Sequence, residues 1–346
     1  MAVTSAPDTP TAPPSPAGPL AEDAPALPFA PMLPLSRTQQ TLRLGVRQIE
    51  YVFRARRELG DVFRFDGLVP YDVTFTCHPD HVKSLMIAPE LAPSATGDSP
   101  LRPIVGSDSV LTAIGPRHMR QRKLLLPPFH GEAVARYAQL IADAAEREID
   151  RWPVGEPFAL APRMQDVTLE VIMGGIFGIE GTPAPGSDEA GLRRVVRALA
   201  DASTHPLFQL VELMNVRRTD AVGVLKAAMS MLDRYVYAVI ENGRNAPDLE
   251  ERTDILALLL RARTEDGEPL TDRELRNELV TLILAGHETT ANQLAWTFER
   301  LVRTPDAYDR LRESVRDGEE DYVEATIHEA MRSRPVVPII GRRVTV

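Results

Sequence analysis

Apolar residues recur along most of this chain at spacings of three and four positions, which is the pattern of amphipathic α-helices. One helix is predicted over residues 41–59, ending at Gly60, and further amphipathic helices are predicted over residues 140–260. Residues 61–65 and 72–76 instead alternate between apolar and polar positions, which predicts a β-hairpin. The sequence therefore predicts a mainly α fold with a small β-sheet, an α+β class.

The longest apolar helical pattern lies around residues 279–298 and is apolar on almost every face, which predicts a helix that crosses the centre of a large core. Its middle is polar, with Gly286, Glu288 and Thr289 close together. A glycine inside a helix costs about 1 kcal/mol relative to alanine, and a buried carboxylate needs a partner or a raised pKa. These penalties indicate a functional site, because a glycine lets a flat group approach the backbone and a threonine hydroxyl bonds to helix carbonyls.

The beginning of the chain has a different composition from the rest. Residues 1–35 contain ten of the 30 prolines, mixed with Ala, Ser and Thr. Such a segment keeps no helix and buries too little apolar surface to fold, and it has neither the basic region nor the apolar core of a signal peptide. The sequence predicts a disordered Pro/Ala-rich tail over residues 1–35 and one domain over residues 36–346.

Composition and missing motifs exclude several classes of protein. The net charge of −10 disfavours a nucleic-acid partner, and a single cysteine fits a reducing compartment. No run approaches the roughly eighteen apolar residues that a membrane span needs, so a cytoplasmic protein without a membrane anchor is predicted. The zinc-protease pattern H-E-x-x-H starts at His287 and at His328, but Ala291 and Arg332 stand where the second histidine belongs. Neither the phosphate-binding P-loop nor the dinucleotide fingerprint G-x-G-x-x-G is present.

The polar middle of the long helix points to a family. Ala285, Gly286, Glu288 and Thr289 form the pattern A-G-x-E-T, which closely resembles the oxygen-binding groove of haem-thiolate monooxygenases, the cytochrome P-450 superfamily. The resemblance implies that Glu288 and Thr289 relay protons during oxygen activation, while Ala285 and Gly286 leave room for dioxygen. The alternative for Glu288 is a salt link to a neighbouring Arg or His.

Two further motifs resemble the same family and stand in the expected order. Upstream, His118 and Arg122 are four residues apart and share a helix face, as in the helix that contacts the haem propionates. A solvated basic face is the alternative. Downstream, Glu329 and Arg332 resemble the E-x-x-R helix, which implies a buried structural ion pair that is costly to break. Arg342 follows this helix, and the resemblance implies a propionate contact for it as well.

The resemblance implies an enzyme that uses haem b, dioxygen and electrons from a ferredoxin/ferredoxin reductase-type donor to insert oxygen into a lipophilic small molecule. The family holds its iron through a cysteine thiolate in a loop after the E-x-x-R helix. This chain stops at Val346, and its only cysteine, Cys77, lies far upstream. The sequence therefore predicts a chain truncated before the cysteine ligand, without a metal ligand of its own and inactive alone. The alternative is a non-catalytic helical remnant that binds an apolar ligand or a protein partner.

Overall fold

Helices dominate the fold, as the periodic apolar positions predict. The computed structural model describes residues 30–68, 73–87, 99, 101–129, 132–179, 181–203, 211, 214–215, 218–264 and 267–344. The helices are α1 (Arg37–Val46), α2 (Gln48–Leu59), α3 (Pro79–Ile87), α4 (Arg102–Val105), α5 (Pro116–Leu125), α6 (Glu132–Ile149), α7 (Leu160–Phe177), α8 (Asp188–Ser203), α9 (Gly223–Arg244), α10 (Ile255–Arg261), α11 (Asp272–Val302), α12 (Pro305–Asp317) and α13 (Glu320–Ser333). Strands β1 (Val62–Phe65) and β2 (Val73–Thr76) form a two-stranded sheet. The predicted α+β class is therefore confirmed.

The single helix predicted over residues 41–59 is in fact two helices. Helix α1 starts earlier than predicted because Ser36 caps it, with the Ser36 side chain accepting from the Gln39 backbone and the Gln39 side chain accepting in return from the Ser36 N–H. Arg47 leaves the helical conformation, with φ −137° and ψ 55°, and separates α1 from α2. The predicted end at Gly60 is confirmed, since this residue has φ 94°, a conformation that favours glycine.

The predicted hairpin is confirmed and belongs to a small unit, residues Met1–Val82. Strands β1 and β2 are antiparallel, with Phe63 opposite Phe75 and Phe65 opposite Val73. The two phenylalanine rings of the first pair stack with centroids 5.3 Å apart. The buried apolar side chains of this unit come from the hairpin, from α2 and from the segment before α1: Leu33, Tyr51, Ala55, Phe63 and Phe65.

The predicted tail can be compared with the structure only at its end. Residues 1–29 of that tail lie outside the described residues. Leu33, inside the stretch predicted as tail, is buried, and the carbonyl of Pro31 accepts a hydrogen bond of 2.8 Å from the Arg64 N–H on β1. Leu33 thus supplies apolar area to the small core of the first unit.

Residues Lys83–Val346 form a second unit, built around α11. This helix starts with a capping box in which Thr271 accepts from the Glu274 backbone and the Glu274 carboxylate accepts from the Thr271 N–H. Its first half is buried among α7, α9 and α10, in agreement with the prediction. The second half differs, because Trp296 and Phe298 are exposed. Within the described part of the chain, no helix is long and apolar enough to cross a membrane.

A buried polar network joins the chain after α4 to the first half of α11. The hydroxyls of Ser109 and Thr281 lie 2.7 Å apart, and Thr281 donates to the Asn277 carbonyl. The Val110 N–H donates to the Glu278 carboxylate, at 2.9 Å from one oxygen and 3.2 Å from the other. All three of the α11 side chains are buried. The network fixes the position of a connecting segment against the central helix.

Burial of Glu278 has an electrostatic consequence. Loss of hydration raises the pKa of its carboxyl to about 8, although the Val110 N–H lowers this pKa and the nearby Glu274 adds to the increase. The folded protein therefore holds a proton on Glu278 at pH values where the unfolded chain has lost it. The protonated carboxyl therefore stabilises the fold at low pH. This stabilisation is lost as the pH rises from the ordinary pKa of 4.5 towards about 8, because the unfolded chain loses the proton more readily than the folded protein does.

We predict that Glu278→Gln removes this loss, because a neutral amide oxygen still accepts the Val110 N–H. Urea titration at several pH values measures the free energy of unfolding of both proteins. The value for the variant minus that for the wild type should increase between about pH 5 and pH 8. The linkage allows a difference of at most about 4 kcal/mol. Glu313→Gln, an exposed position on α12, is the matched control and should follow the wild type at every pH. A parallel pH profile for Glu278→Gln and wild type would contradict the buried-acid assignment.

Candidate functional site

One side of the second half of α11 is open. Ala285 is exposed and Thr289, one turn later, is half-buried. The Thr289 hydroxyl donates a 2.5 Å hydrogen bond to the Ala285 carbonyl. This bond uses the hydroxyl proton and leaves the oxygen lone pairs free to accept a second bond. Trp296 continues the same side two turns on, so the open side combines a small apolar residue, a hydroxyl and an aromatic ring.

Glu288 faces the end of α8. Its carboxylate lies 3.1 Å from the hydroxyl of Ser203, the last residue of that helix, and this hydroxyl also lies 2.7 Å from the Ala200 carbonyl, so the two acceptors share one proton. The salt link to Arg or His that the sequence left open is not formed with any residue that the structure describes. Glu288 is half-buried, so the carboxylate keeps contact with solvent while its neighbour Thr289 lies on the open side. An acid and a hydroxyl thus occupy adjacent positions of α11.

Gly286 does not face the open side. A Cβ atom at this position would lie 2.5 Å from Cδ1 of Ile172 on α7, so the isoleucine side chain fills the space beside the glycine. The predicted role of Gly286 in leaving room for a flat ligand or for dioxygen stays a prediction. The glycine lets α7 and α11 approach closely. Of the two small residues predicted to clear the groove, only Ala285 points to the open side.

His287 was not predicted as a site residue, although it is the most buried of the polar residues in this turn. Its Nε2 lies 3.1 Å from the Gln165 carbonyl, which only accepts, so Nε2 must carry the proton. Burial lowers the pKa of His287 and keeps the imidazole neutral. It borders a cavity of about 190 Å³ on the α7 side of the helix. The other residues lining that cavity are Pro162, Gln165, Asp166, Arg197, Ala200 and Asp201.

The basic residues of α5 divide into two groups. Arg117 pairs with Asp108 at 2.6 Å, and Arg120 pairs with Glu274 at the start of α11 at 3.2 Å. The side chains of His118 and Arg122, which share one face, form no hydrogen bond or ion pair with the described residues. His118 is half-buried and Arg122 is exposed. Of the three residues predicted to hold propionates, the two on α5 are therefore left available by the described residues.

Gln121, between these two residues, is fully buried, and neither its Oε1 nor its Nε2 has a partner in the described part of the chain. A buried amide without hydrogen bonds costs about 1–3 kcal/mol. The same helix thus carries an unpartnered imidazole, an unpartnered guanidinium and an orphaned amide within two turns. The imidazole and the guanidinium could each donate a hydrogen bond to an anion, whereas the amide is enclosed by the protein.

The E-x-x-R pair forms but is not buried. Arg332 donates two hydrogen bonds of 2.7 Å to the Glu329 carboxylate. The side chains are 73% and 61% exposed, so the expectation of a costly buried pair is wrong for these residues. Helix α13 packs against α11 and α12 on one side only. Among its described residues, Ala330 alone is buried. Arg342, further on, lies 3.3 Å from the sulfur of Met86.

Cys77, the single cysteine, follows β2 in the first unit and is half-buried, and burial raises the pKa of its thiol. Among the residues that can be described, no group of His, Cys, Asp or Glu side chains is arranged to hold a metal ion.

The contact between Gly286 and Ile172 can be tested by a double-mutant cycle. We expect Gly286→Ala alone to lower the free energy of unfolding by about 1 kcal/mol, because overpacking costs about 1–3 kcal/mol and exceeds the gain of about 1 kcal/mol in helix propensity. In the Ile172→Val background, which removes the clashing Cδ1, the same change should raise stability. Urea unfolding of the four proteins measures the coupling. Equal effects of Gly286→Ala in both backgrounds would show that Ile172 does not restrict this position.

Comparison with known proteins places this geometry in a family. The cytochrome P-450 family profile matches residues 28–346. A putative cytochrome P-450 137 of Mycobacterium tuberculosis is 36% identical over 296 residues, which are 84% of this chain and 61% of that protein. A putative cytochrome P-450 135B1 of Mycobacterium bovis is 35% identical over 314 residues, 88% of this chain and 64% of that protein. The chain thus spans less than two thirds of the length of these relatives.

Solved structures share the fold at lower sequence identity. The retinoic acid-bound cyanobacterial CYP120A1 superposes with a TM-score of 0.73 at 18% identity, covering 92% of this chain and 72% of that one. The cytochrome P-450 CYP102L1 gives 0.70 at 22% identity, covering 89% and 73%. Together with the family match over nearly the whole sequence, these likenesses show that the chain belongs to the cytochrome P-450 family.

Proposed function

We propose that this chain forms the oxygen-activating part of a haem monooxygenase that inserts one oxygen atom into a lipophilic small molecule. The observation that carries the proposal is the open side of α11, where Ala285 and Thr289 lie together with the acid Glu288 at the adjacent position. Family membership supports haem as the cofactor. Haem, when bound, supplies a redox-active iron at which dioxygen is activated.

The chain's own residues would manage protons at this site. The Thr289 hydroxyl donates to the Ala285 carbonyl, so its oxygen is oriented to accept a proton or a hydrogen bond from the open side. Glu288 is in contact with solvent and with the Ser203 hydroxyl, which gives it a route for exchanging protons with water. We propose that Glu288 relays protons from solvent towards Thr289 at the adjacent position. On the α7 side, Ile172 packs beside Gly286 and His287 bonds to the Gln165 carbonyl.

Charge pairing would hold the cofactor. His118 and Arg122 are unpartnered donors on one face of α5, and α5 is fixed beside α11 by the ion pair between Arg120 and Glu274. We assign the propionate contacts to His118 and Arg122, with Arg342 as a further donor. The alternative of a merely solvated basic face is less suited to the half-buried His118 and the buried amide of Gln121.

Electrons and substrate come from outside the chain in this proposal. We propose a ferredoxin-type electron donor, a lipophilic substrate and a cytoplasmic location, in keeping with the single cysteine and the bacterial relatives. The second candidate, a non-catalytic protein that binds an apolar ligand, gains no support from the family match, since the acid and hydroxyl of the A-G-x-E-T pattern are in place.

Haem titration of the full chain tests the cofactor assignment. We predict that His118→Ala and Arg122→Ala each weaken haem binding about tenfold, because each removes one charge-assisted hydrogen bond. Haem absorbance and quenching of Trp fluorescence measure the affinity. Arg316→Ala, which removes an exposed guanidinium from α12, is the matched control and should bind haem as the wild type does. Equal affinities of Arg122→Ala and Arg316→Ala would remove the basis for the propionate site.

The ligand of the iron has its own spectroscopic test. Cys77 is the only thiol among residues 1–346 and has a raised pKa, which disfavours the thiolate form that iron requires. We therefore predict that haem bound to these residues alone, reduced in the presence of carbon monoxide, does not show the strongly red-shifted Soret band of a thiolate-ligated complex. Such a band, abolished by Cys77→Ser, would instead make Cys77 the ligand.

A further inference from the structure

The cavity of about 190 Å³ that His287 borders is enclosed by α7, α8 and α11, and the proposed reaction makes no use of it. His287 is two positions from Ala285 and two from Thr289, which corresponds to about 200° of rotation, so the cavity and the open side lie on opposite sides of α11. Arg197 and Asp201, on α8, are exposed at its mouth, whereas His287 is only 3% exposed at its floor. The molecule therefore has a second concave site, separate from the first.

The floor of the cavity carries a hydrogen-bond acceptor without a partner. Nε2 of His287 donates to the Gln165 carbonyl, and the imidazole is neutral because burial lowers its pKa, so Nδ1 carries a free lone pair. Nδ1 has no partner among the residues that the structure describes. It is also not one of the fully enclosed polar atoms in that part of the chain, so it is reached from the cavity. Polar atoms of buried side chains normally have a partner, which indicates that the cavity receives a donor.

The charges around this acceptor favour a donor with a positive charge. Asp166 on α7 and Asp201 on α8 line the cavity together with Arg197, which leaves one negative charge in excess. The Arg197 guanidinium bonds to Oδ1 of Asp166, and no described residue bonds to the other oxygen of that carboxylate. Glu288, the next residue of α11, adds a negative charge close to the imidazole and acts against the lowering of the His287 pKa. The only cationic group lining the cavity is thus already paired, and the carboxylates are in excess.

We propose that this cavity is a binding site for a small primary ammonium ion. The ammonium group would donate to Nδ1 of His287, with its charge compensated by Asp166 and Asp201, while a short alkyl group would lie against Pro162 and Ala200. An anion fits less well, because it meets both carboxylates. A metal ion fits less well too, since no group of His, Cys, Asp or Glu side chains within the described ranges is arranged to hold one.

Titration of the full chain with n-propylammonium chloride at pH 7 tests this site. Calorimetry measures the affinity, and ¹⁵N NMR of the histidine side chains, with the signal assigned from its absence in His287→Gln, reports on Nδ1 of His287. We expect one site with a dissociation constant of about 1 mM, since so small a ligand gains at most about 1.5 kcal/mol per heavy atom. The Nδ1 signal of His287 should shift on binding. n-Propanol, which has the same size and no charge, should bind at least about tenfold more weakly.

Single carboxylate variants locate the site. Asp166→Asn and Asp201→Asn each remove one negative charge while keeping the side-chain shape, and each should weaken binding of n-propylammonium about fivefold. Asp309→Asn removes an exposed carboxylate from α12, so it is the matched control and should bind as the wild type does. Circular dichroism should be the same for all three variants.

Three outcomes would overturn the proposal. The first is equal affinity for n-propylammonium and n-propanol, and the second is an equal loss of affinity in the cavity variants and in Asp309→Asn. The third is the absence of both binding heat and a shift of the His287 signal, which would assign the cavity to water alone. Each outcome is separate from the haem assignment, because haem binding is tested on α5 and not at His287.

Discussion

Close packing of α11 against α7 determines the orientation of the whole site. Ile172 occupies the space that a side chain at Gly286 would need, and His287 bonds to the Gln165 carbonyl from the same side of the helix. These contacts fix the rotation of α11 about its axis. Once the rotation is fixed, Ala285 and Thr289 must point to the opposite, open side. The arrangement of acid, hydroxyl and small residue therefore follows from a helix–helix contact that involves none of them.

The elements that could be predicted from the sequence are those with local causes. The hairpin follows from alternation of residues such as Phe63 and Phe65, and the end of α2 follows from Gly60, since both signals lie within a few residues of the structure they specify. The long central helix was predicted for the same reason. The break at Arg47 was not, because Gly45, two positions earlier, is a weak signal: a single glycine inside a helical pattern lowers helix stability but is often tolerated.

Features with distant causes could not be predicted. Glu278 is a buried acid because Val110, 168 positions earlier, supplies its hydrogen bond, and no local pattern carries that information. The contact of Gly286 with Ile172 was not predicted, since close helix packing and close ligand approach both require a missing side chain and the sequence pattern is the same for both. The exposure of Glu329 and Arg332 likewise depends on which elements cover α13. The basic cluster of α5 was recognised, yet only its contacts separate Arg120, which is structural, from Arg122, which is available.

The carboxylate of Glu274 joins α5 to the first turn of α11. One of its oxygens accepts from both the N–H and the hydroxyl of Thr271 and so closes the first turn of α11, while the other oxygen accepts from Arg120 on α5. A single substitution at this position would therefore remove the cap of α11 and its ion pair with α5 together.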